Sequence, residues 1–234
     1  MDVREKLARL NPTTVKFDTG HGGVAELTNQ DIAAALAFVP QGLGREVLEA
    51  CWWPGGAMLR TTKLRDAVMG VAMPELGRQA RKITEASLDV QLAEAAISWS
   101  GRGATAEQMA GLEMARSRLA KVRAACWPQG VVQSLPNLAA AVIMEMASAN
   151  RCEACHGTGV SASNSKCEEC EGSGFDRLPD LRRAKVLRTD SRNFVRHWKP
   201  VYEWLMVKFR DAEADAANAL GRALARMGEV GVDA

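Results

Sequence analysis

The chain has 234 residues, 47% of them hydrophobic and 25% charged, with a formal net charge of +2. That is enough apolar material for a real core in one large domain or two modest ones. The net charge is too small for a disordered acidic chain or a general polycation, so affinity for an anion or a nucleic acid has to reside in a local patch.

The first residues, MDVREKLARLNPTTVKF, lack the apolar stretch of a secretory signal. No window reaches the roughly 18 apolar residues of a membrane span. The most apolar run, Leu138 to Ala147, is interrupted by Glu145. A cytoplasmic protein without a membrane partner is expected, and in a reducing compartment clustered cysteines are better read as metal ligands than as disulfides.

Residues 1–26 hold one short amphipathic turn and then a Gly-rich stretch, TGHGGVAE, and read as a flexible N-terminal arm. A helical domain over 27–150 follows. Thr28 and Asp31 form a capping box ahead of IAAALAFV, which stops at Pro40, and a second helix from Arg45 to Trp53 stops at Pro54. Further helical patterns cover about 57–70, 75–99, 104–126 and 138–149. The long pair within 75–126 is broken only by Gly101-Arg102-Gly103, the spacing of an antiparallel helical hairpin. The string GRGATA also fits a dinucleotide-binding fingerprint, but it follows a helix instead of a strand and is set aside. No alternating strand is evident, so the fold class is all-α with an inserted cysteine module.

That module spans 151–175. CEACHGTG begins at Cys152 and CEECEGSG at Cys167, with eleven residues between Cys155 and Cys167. Two Cys-x-x-Cys pairs at this separation can place Cys152, Cys155, Cys167 and Cys170 around one tetrahedral zinc, with Zn–S near ~2.3 Å and no open position for a substrate. A closed sulfur shell is structural. The glycines at 157, 159, 172 and 174 follow because a knuckle curls its backbone tightly, and Gly tolerates positive φ. Cys152-Glu-Ala-Cys155-His156 also satisfies the c-type haem signal, but haem attachment would leave the second knuckle unexplained. Redox chemistry at Cys-x-x-Cys wants a neighbouring βαβ pattern that the sequence lacks. Cys51 and Cys126 lie singly on helical patterns, where free cysteine behaves as a small buried hydrophobe.

Over 176–228 the composition changes to basic helices, with a tail over 229–234. Asp176 to Arg210 contains ten Lys or Arg against four Asp or Glu. Pro179 opens the segment DLRRAKVL, which puts Arg182 and Lys185 on one stripe with Arg183 beside it and Arg188 about one turn on. Such a stripe can displace counterions from nucleic-acid phosphates. Thr189-Asp190-Ser191 reads as a stop and an N-cap. Beyond it Phe194, Trp198, Val201, Leu205 and Phe209 recur at core spacing, with Arg192, Arg196 and Lys199 elsewhere on the wheel. Pro200 should kink or interrupt the helix near Trp198. A short helix, a turn and a longer helix are the parts of a helix-turn-helix reader.

RCEACHGTG, CEECEGSGFDRLPDLRRAKVL and FVRHWKPVYEWLMVKFRDAEADAANAL together resemble the late-gene antitermination Q proteins of lambda-type phages. Lys199-Pro200-x-Tyr202 is part of that likeness, and a weaker one covers TNQDIAAALAFV. The resemblance implies a non-enzymatic transcription antitermination factor in the bacterial host cytoplasm. Such a factor binds double-stranded DNA in a late promoter, engages host RNA polymerase through its sigma factor and beta flap, and travels with it past terminators. One structural Zn2+ would sit in a module inserted between the helices of a helix-turn-helix, here about Leu138 to Ala149 and Leu178 to Arg188. The implied DNA contacts come from Arg177, Arg182, Arg183, Lys185, Arg188 and Arg192. Residues 71–130 do not follow the family pattern. The alternative is a zinc-binding co-chaperone, since Hsp40 proteins use the same knuckles, but these have four copies and a His-Pro-Asp that this chain lacks. An enzyme acting on a small-molecule substrate is disfavoured by the absence of H-E-x-x-H, G-x-S-x-G and a Walker loop.

Overall fold

A computed structural model describes the chain except residues 1–2, 9, 11–27, 54–60, 100, 102, 148–151, 156–157, 162–164, 173, 175–177 and 231–234. The described residues are helical, with an isolated antiparallel bridge between Val160 and Lys166 and no strand. The elements are α1 (Val3–Ala8), α2 (Asn29–Ala37), α3 (Leu43–Trp52), α4 (Thr61–Trp99), α5 (Ala106–Ala125), α6 (Val131–Met146) and α7 (Asp180–Val186). They end with α8 (Ser191–Asn193), a π-turn (Phe194–Trp198) and α9 (Lys199–Val230), which follow one another without an intervening residue.

The chain forms two compact units, residues 1–68 with 133–234, and residues 69–132. This differs from a linear division at 150 and 175, because α2 and α3 pack along α9 from the far end of the sequence. The first unit's core contains Leu7, Ile32, Leu48, Leu138, Met146, Phe194, Leu205, Phe209 and Leu220, all buried. At Gly44 the backbone of α3 lies so close to α9 that a Cβ would collide with the Ala212 carbonyl oxygen.

The arm expected over 1–26 needs correcting at its start. Val3–Ala8 is a helix whose Leu7 is fully buried, and Arg4 donates through Nε and Nη2 to the two carboxylate oxygens of Glu213, each at 2.7 Å. Trp52 Nε1 also donates to Glu213, at 3.0 Å. The Gly-rich part of the expected arm lies outside the described residues. The capping box of α2 is present: the Asp31 amide donates to Thr28 Oγ1 at 3.3 Å and the Thr28 amide to Asp31 Oδ2 at 2.8 Å.

The second unit contains the antiparallel hairpin. Arg116 donates to Glu94 at 2.8 Å, Arg118 to Asp89 at 2.6 Å, and the Trp127 amide to Gln79 at 2.8 Å. Ala86 and Leu112 are buried along its seam. The break expected between 70 and 75 is absent, since α4 continues through Pro74. The carbonyl that this proline ring crowds belongs to Gly70, four residues back, where the backbone has most freedom to adjust. Likewise α6 begins at Val131, ahead of Pro136, and not at Leu138.

Candidate functional site

Each knuckle of the cysteine module is built the same way. Cys155 Sγ accepts the Gly159 amide at 3.3 Å, and Cys170 Sγ accepts the Gly174 amide at 3.2 Å. The Cys152 amide donates to the Gly174 carbonyl at 3.1 Å, and the Cys167 amide donates to the Gly159 carbonyl at 2.9 Å. Each closing glycine therefore holds its own knuckle's second sulfur and the other knuckle's first cysteine, a pseudo-twofold exchange written into the sequence repeat. Gly159, Gly172 and Gly174 have φ of +73, +78 and +80°, while Gly157 lies outside the described residues. A Cβ on Gly159 would stand 2.5 Å from the Gly172 carbonyl oxygen.

The four sulfurs lie within 4.8 Å of one another, all four cysteines are buried, and none is in a disulfide. A tetrahedral ion with metal–sulfur bonds near ~2.3 Å has sulfur–sulfur edges of about 3.8 Å. Cys155 and Cys170 sit 3.7 Å apart. Burial opposes ionisation of Cys170, but the Gly174 amide and the three neighbouring thiols outweigh it and bring this thiol down to about 7. At Cys152 the Cys155 amide favours the thiolate, yet burial and the thiols of Cys155 and Cys170 leave it up at about 11, and Cys167 is also raised. Four sulfurs this close share protons unless a cation displaces them, so the set can hold a metal ion and would release protons on doing so.

The helices on either side of this module, α6 and α7, meet through a buried polar cluster. Arg183 Nε and Nη2 donate to Glu145 at 2.9 and 2.5 Å, and the Tyr202 hydroxyl donates to Glu145 Oε2 at 2.7 Å. The Arg183 guanidinium stacks 4.9 Å from the centre of the Tyr202 ring. The Leu178 amide adds a bond to Glu145 at 3.3 Å, and Lys199 Nζ ties Asp180 of α7 to α9 at 2.7 Å. Burial above all, then the hydrogen bond to Glu145 and its charge, raise the Tyr202 hydroxyl well above the ordinary phenol range. Arg210 of α9 reaches the module itself, donating to the Gly172 carbonyl at 3.3 Å.

This geometry corrects the expected basic face. Arg183, read as facing DNA, is 5% exposed and committed to Glu145. A neighbour on the helical wheel turned inward because its partner lies 38 residues away. Lys199 and Arg210 are likewise engaged internally. Arg182, Lys185, Arg188 and Arg192 are exposed, although Arg188 leaves the helical stripe. It has φ of +54° just past the end of α7, and Thr189 donates back to the Ala184 carbonyl at 3.0 Å, the closing bond of a left-handed helix stop. Arg177 lies outside the described residues. Asp190 caps the next helix by accepting from the Asn193 amide at 2.8 Å. The interruption expected from Pro200 takes the form of the π-turn over Phe194–Trp198, which absorbs the missing amide. Phe194, Val201, Leu205 and Phe209 are buried as expected, and Trp198 is half-buried. Cys51 is buried as expected, whereas Cys126 is only partly so.

Two residues of this cluster had no assigned role in the sequence reading. Glu145 interrupts the most apolar run of the chain, and a charge there is a signal for a buried partner. Tyr202 follows the core position Val201. No helix of the described residues is long and apolar enough to cross a membrane. Compared with models of known families, with curated proteins and with solved structures, the chain matches none.

Proposed function

We propose that the four cysteines hold one structural zinc ion, and that the protein is a DNA-binding transcription antitermination factor that acts on host RNA polymerase without catalysing a reaction of its own. Zinc there would supply a closed thiolate clasp and no reactive position. The rest is the work of the chain. Glu145 fixes Arg183, Arg183 and Lys199 fix α7, and the segment is left with Arg182, Lys185, Arg188 and Arg192 directed to solvent.

The observation that carries this reading is the split within α7. Arg183 anchors the helix from its buried side while its neighbours Arg182 and Lys185 stay exposed. A helix held in a fixed pose with cations on its outer face is suited to register against a phosphate backbone. The pairing of α6 and α7 around an inserted cysteine module supports a helix-turn-helix-like use of the two helices, and Tyr202 gives the Lys-Pro-x-Tyr signature a physical role.

The test is transcription in vitro from a phage late promoter with host polymerase, its sigma factor and a downstream terminator. Readthrough should rise when the zinc-loaded protein is added. Unchanged termination together with DNA binding that is insensitive to salt would reject the reading.

A further inference from the structure

The chain passes between its two compact units twice, after Val68 and after Val132. Both passages lie beside backbone that bends easily. Helix α4 runs for 39 residues, yet its two glycines and its one proline all fall within the short stretch from Gly70 to Gly77. Gly70 is the second residue beyond the first passage. Pro74 has no amide to offer the Gly70 carbonyl, so the helical ladder lacks a bond at that point.

Packing does not account for these glycines. Gly44 is required by the nearby Ala212 carbonyl, whereas a Cβ on Gly70 or Gly77 would meet nothing within 4 Å, and neither residue has a positive φ. Alanine would favour the helix at both positions. What glycine contributes there is backbone freedom. Ala72, the buried residue between Gly70 and Pro74, has only a methyl group to repack as the helix bends. At the second passage the chain turns over Pro128–Gly130, with Gly130 at φ +79° and the Val131 amide donating to the Pro128 carbonyl at 3.3 Å.

Just past both weak points the hairpin is fastened. The Trp127 amide bonds Gln79, and the pairs of Arg118 with Asp89 and Arg116 with Glu94 continue the fastening toward the tip. From Arg78 to Trp99 the helix contains neither glycine nor proline. We propose that residues 70–77 and the Pro128–Gly130 turn are the two strands of a hinge, about which the hairpin moves as one arm. Two covalent strands let the arm bend but oppose free swivelling, so the joint acts as a hinge and not as a tether.

Distances between nitroxide pairs on the full, zinc-loaded chain, read by pulsed electron resonance, test this. The nitroxides are carried on a ketone-bearing non-natural residue, which leaves the cysteines untouched. One pair replaces the exposed Gln91 of the hairpin and Asp211 of α9, and a reference pair replaces Gln91 and Glu113 within the hairpin. The first distribution should be at least about twice as broad as the reference. Gly70→Ala with Pro74→Ala and Gly77→Ala should narrow it toward the reference width while zinc content and helicity by circular dichroism are retained. Gly111→Ala, equally open at its Cβ position but away from the joint, should leave it broad. A wild-type distribution as narrow as the reference overturns the inference, and so does a breadth that the triple variant leaves unchanged.

Discussion

Arg183 and Glu145 face each other in the interior through two charge-assisted hydrogen bonds, 38 residues apart in sequence and on opposite sides of the cysteine module. Removing one member of such a pair leaves the other charge buried and costs about 3–5 kcal/mol. Glu145→Ala is therefore expected to lower the urea midpoint strongly. Arg182→Ala, one residue from the anchor but exposed, should leave stability within about 0.5 kcal/mol. The ranking reverses in DNA titrations: Arg182→Ala should reduce the salt slope by about 1 if that side chain meets a phosphate. An equal slope would remove Arg182 from the contact surface.

Tyr202 is the only tyrosine of the chain, which makes its ionisation directly readable from tyrosinate absorbance. Its folded pKa is raised by burial and by Glu145. The folded state thus favours the neutral phenol, and its contribution is complete below the unfolded value of about 10 and lost as pH rises beyond it. Native protein should show no tyrosinate near pH 10 until it unfolds, and Tyr202→Phe should flatten the alkaline fall in stability. Reversible titration of the native state at an ordinary phenol pKa would contradict the buried hydrogen bond.

The parts legible in the sequence are those set by short-range chemistry. The knuckles, the capping box at Thr28, the cap at Asp190 and the hairpin break at Gly101–Gly103 each depend on residues within one or two turns. What escaped depended on distant partners. Arg183 and Arg182 are adjacent and chemically identical, and only the location of Glu145 and Tyr202 tells them apart. Leu7 belonged to a segment too short to be stable alone, and became a helix because α3 and α9 supply its packing surface. The helical pattern breaks between 70 and 75 in the sequence, yet the helix continues through Pro74, with Gly70 four residues before it free to adjust.

Gly159 tests the exchange between knuckles. Its φ of +73° and the 2.5 Å approach that a Cβ would make to the Gly172 carbonyl both exclude a side chain without backbone movement. Gly159→Ala should weaken metal retention, measured by competition with a chromophoric chelator, because the same residue holds Cys155 Sγ and the Cys167 amide. Substituting Gly111, which has open space around its Cβ position, should leave retention unchanged. Equal retention in both variants would show that the exchange does not support the metal site.

The six cysteines divide into three environments, and alkylation followed by mass spectrometry can read them separately. Cys126 is partly exposed at the end of α5 and should react first in the native, metal-loaded protein. Cys51 is 2% exposed, with its thiol pushed up mainly by burial and further by Glu213, so it should react only on global unfolding. Cys152, Cys155, Cys167 and Cys170 should be protected together while metal is bound and become reactive together when a chelator removes it, since none keeps its geometry without the others. Chelation should also loosen α7 against α6, because the loop from Met146 to Leu178 is then closed by fewer constraints and the Glu145–Arg183 pair carries more of the ordering cost. Hydrogen exchange in Asp180–Val186 should accelerate on chelation, while α2 and α3 stay protected. Labelling of one cysteine pair without the other would break the single-site assignment.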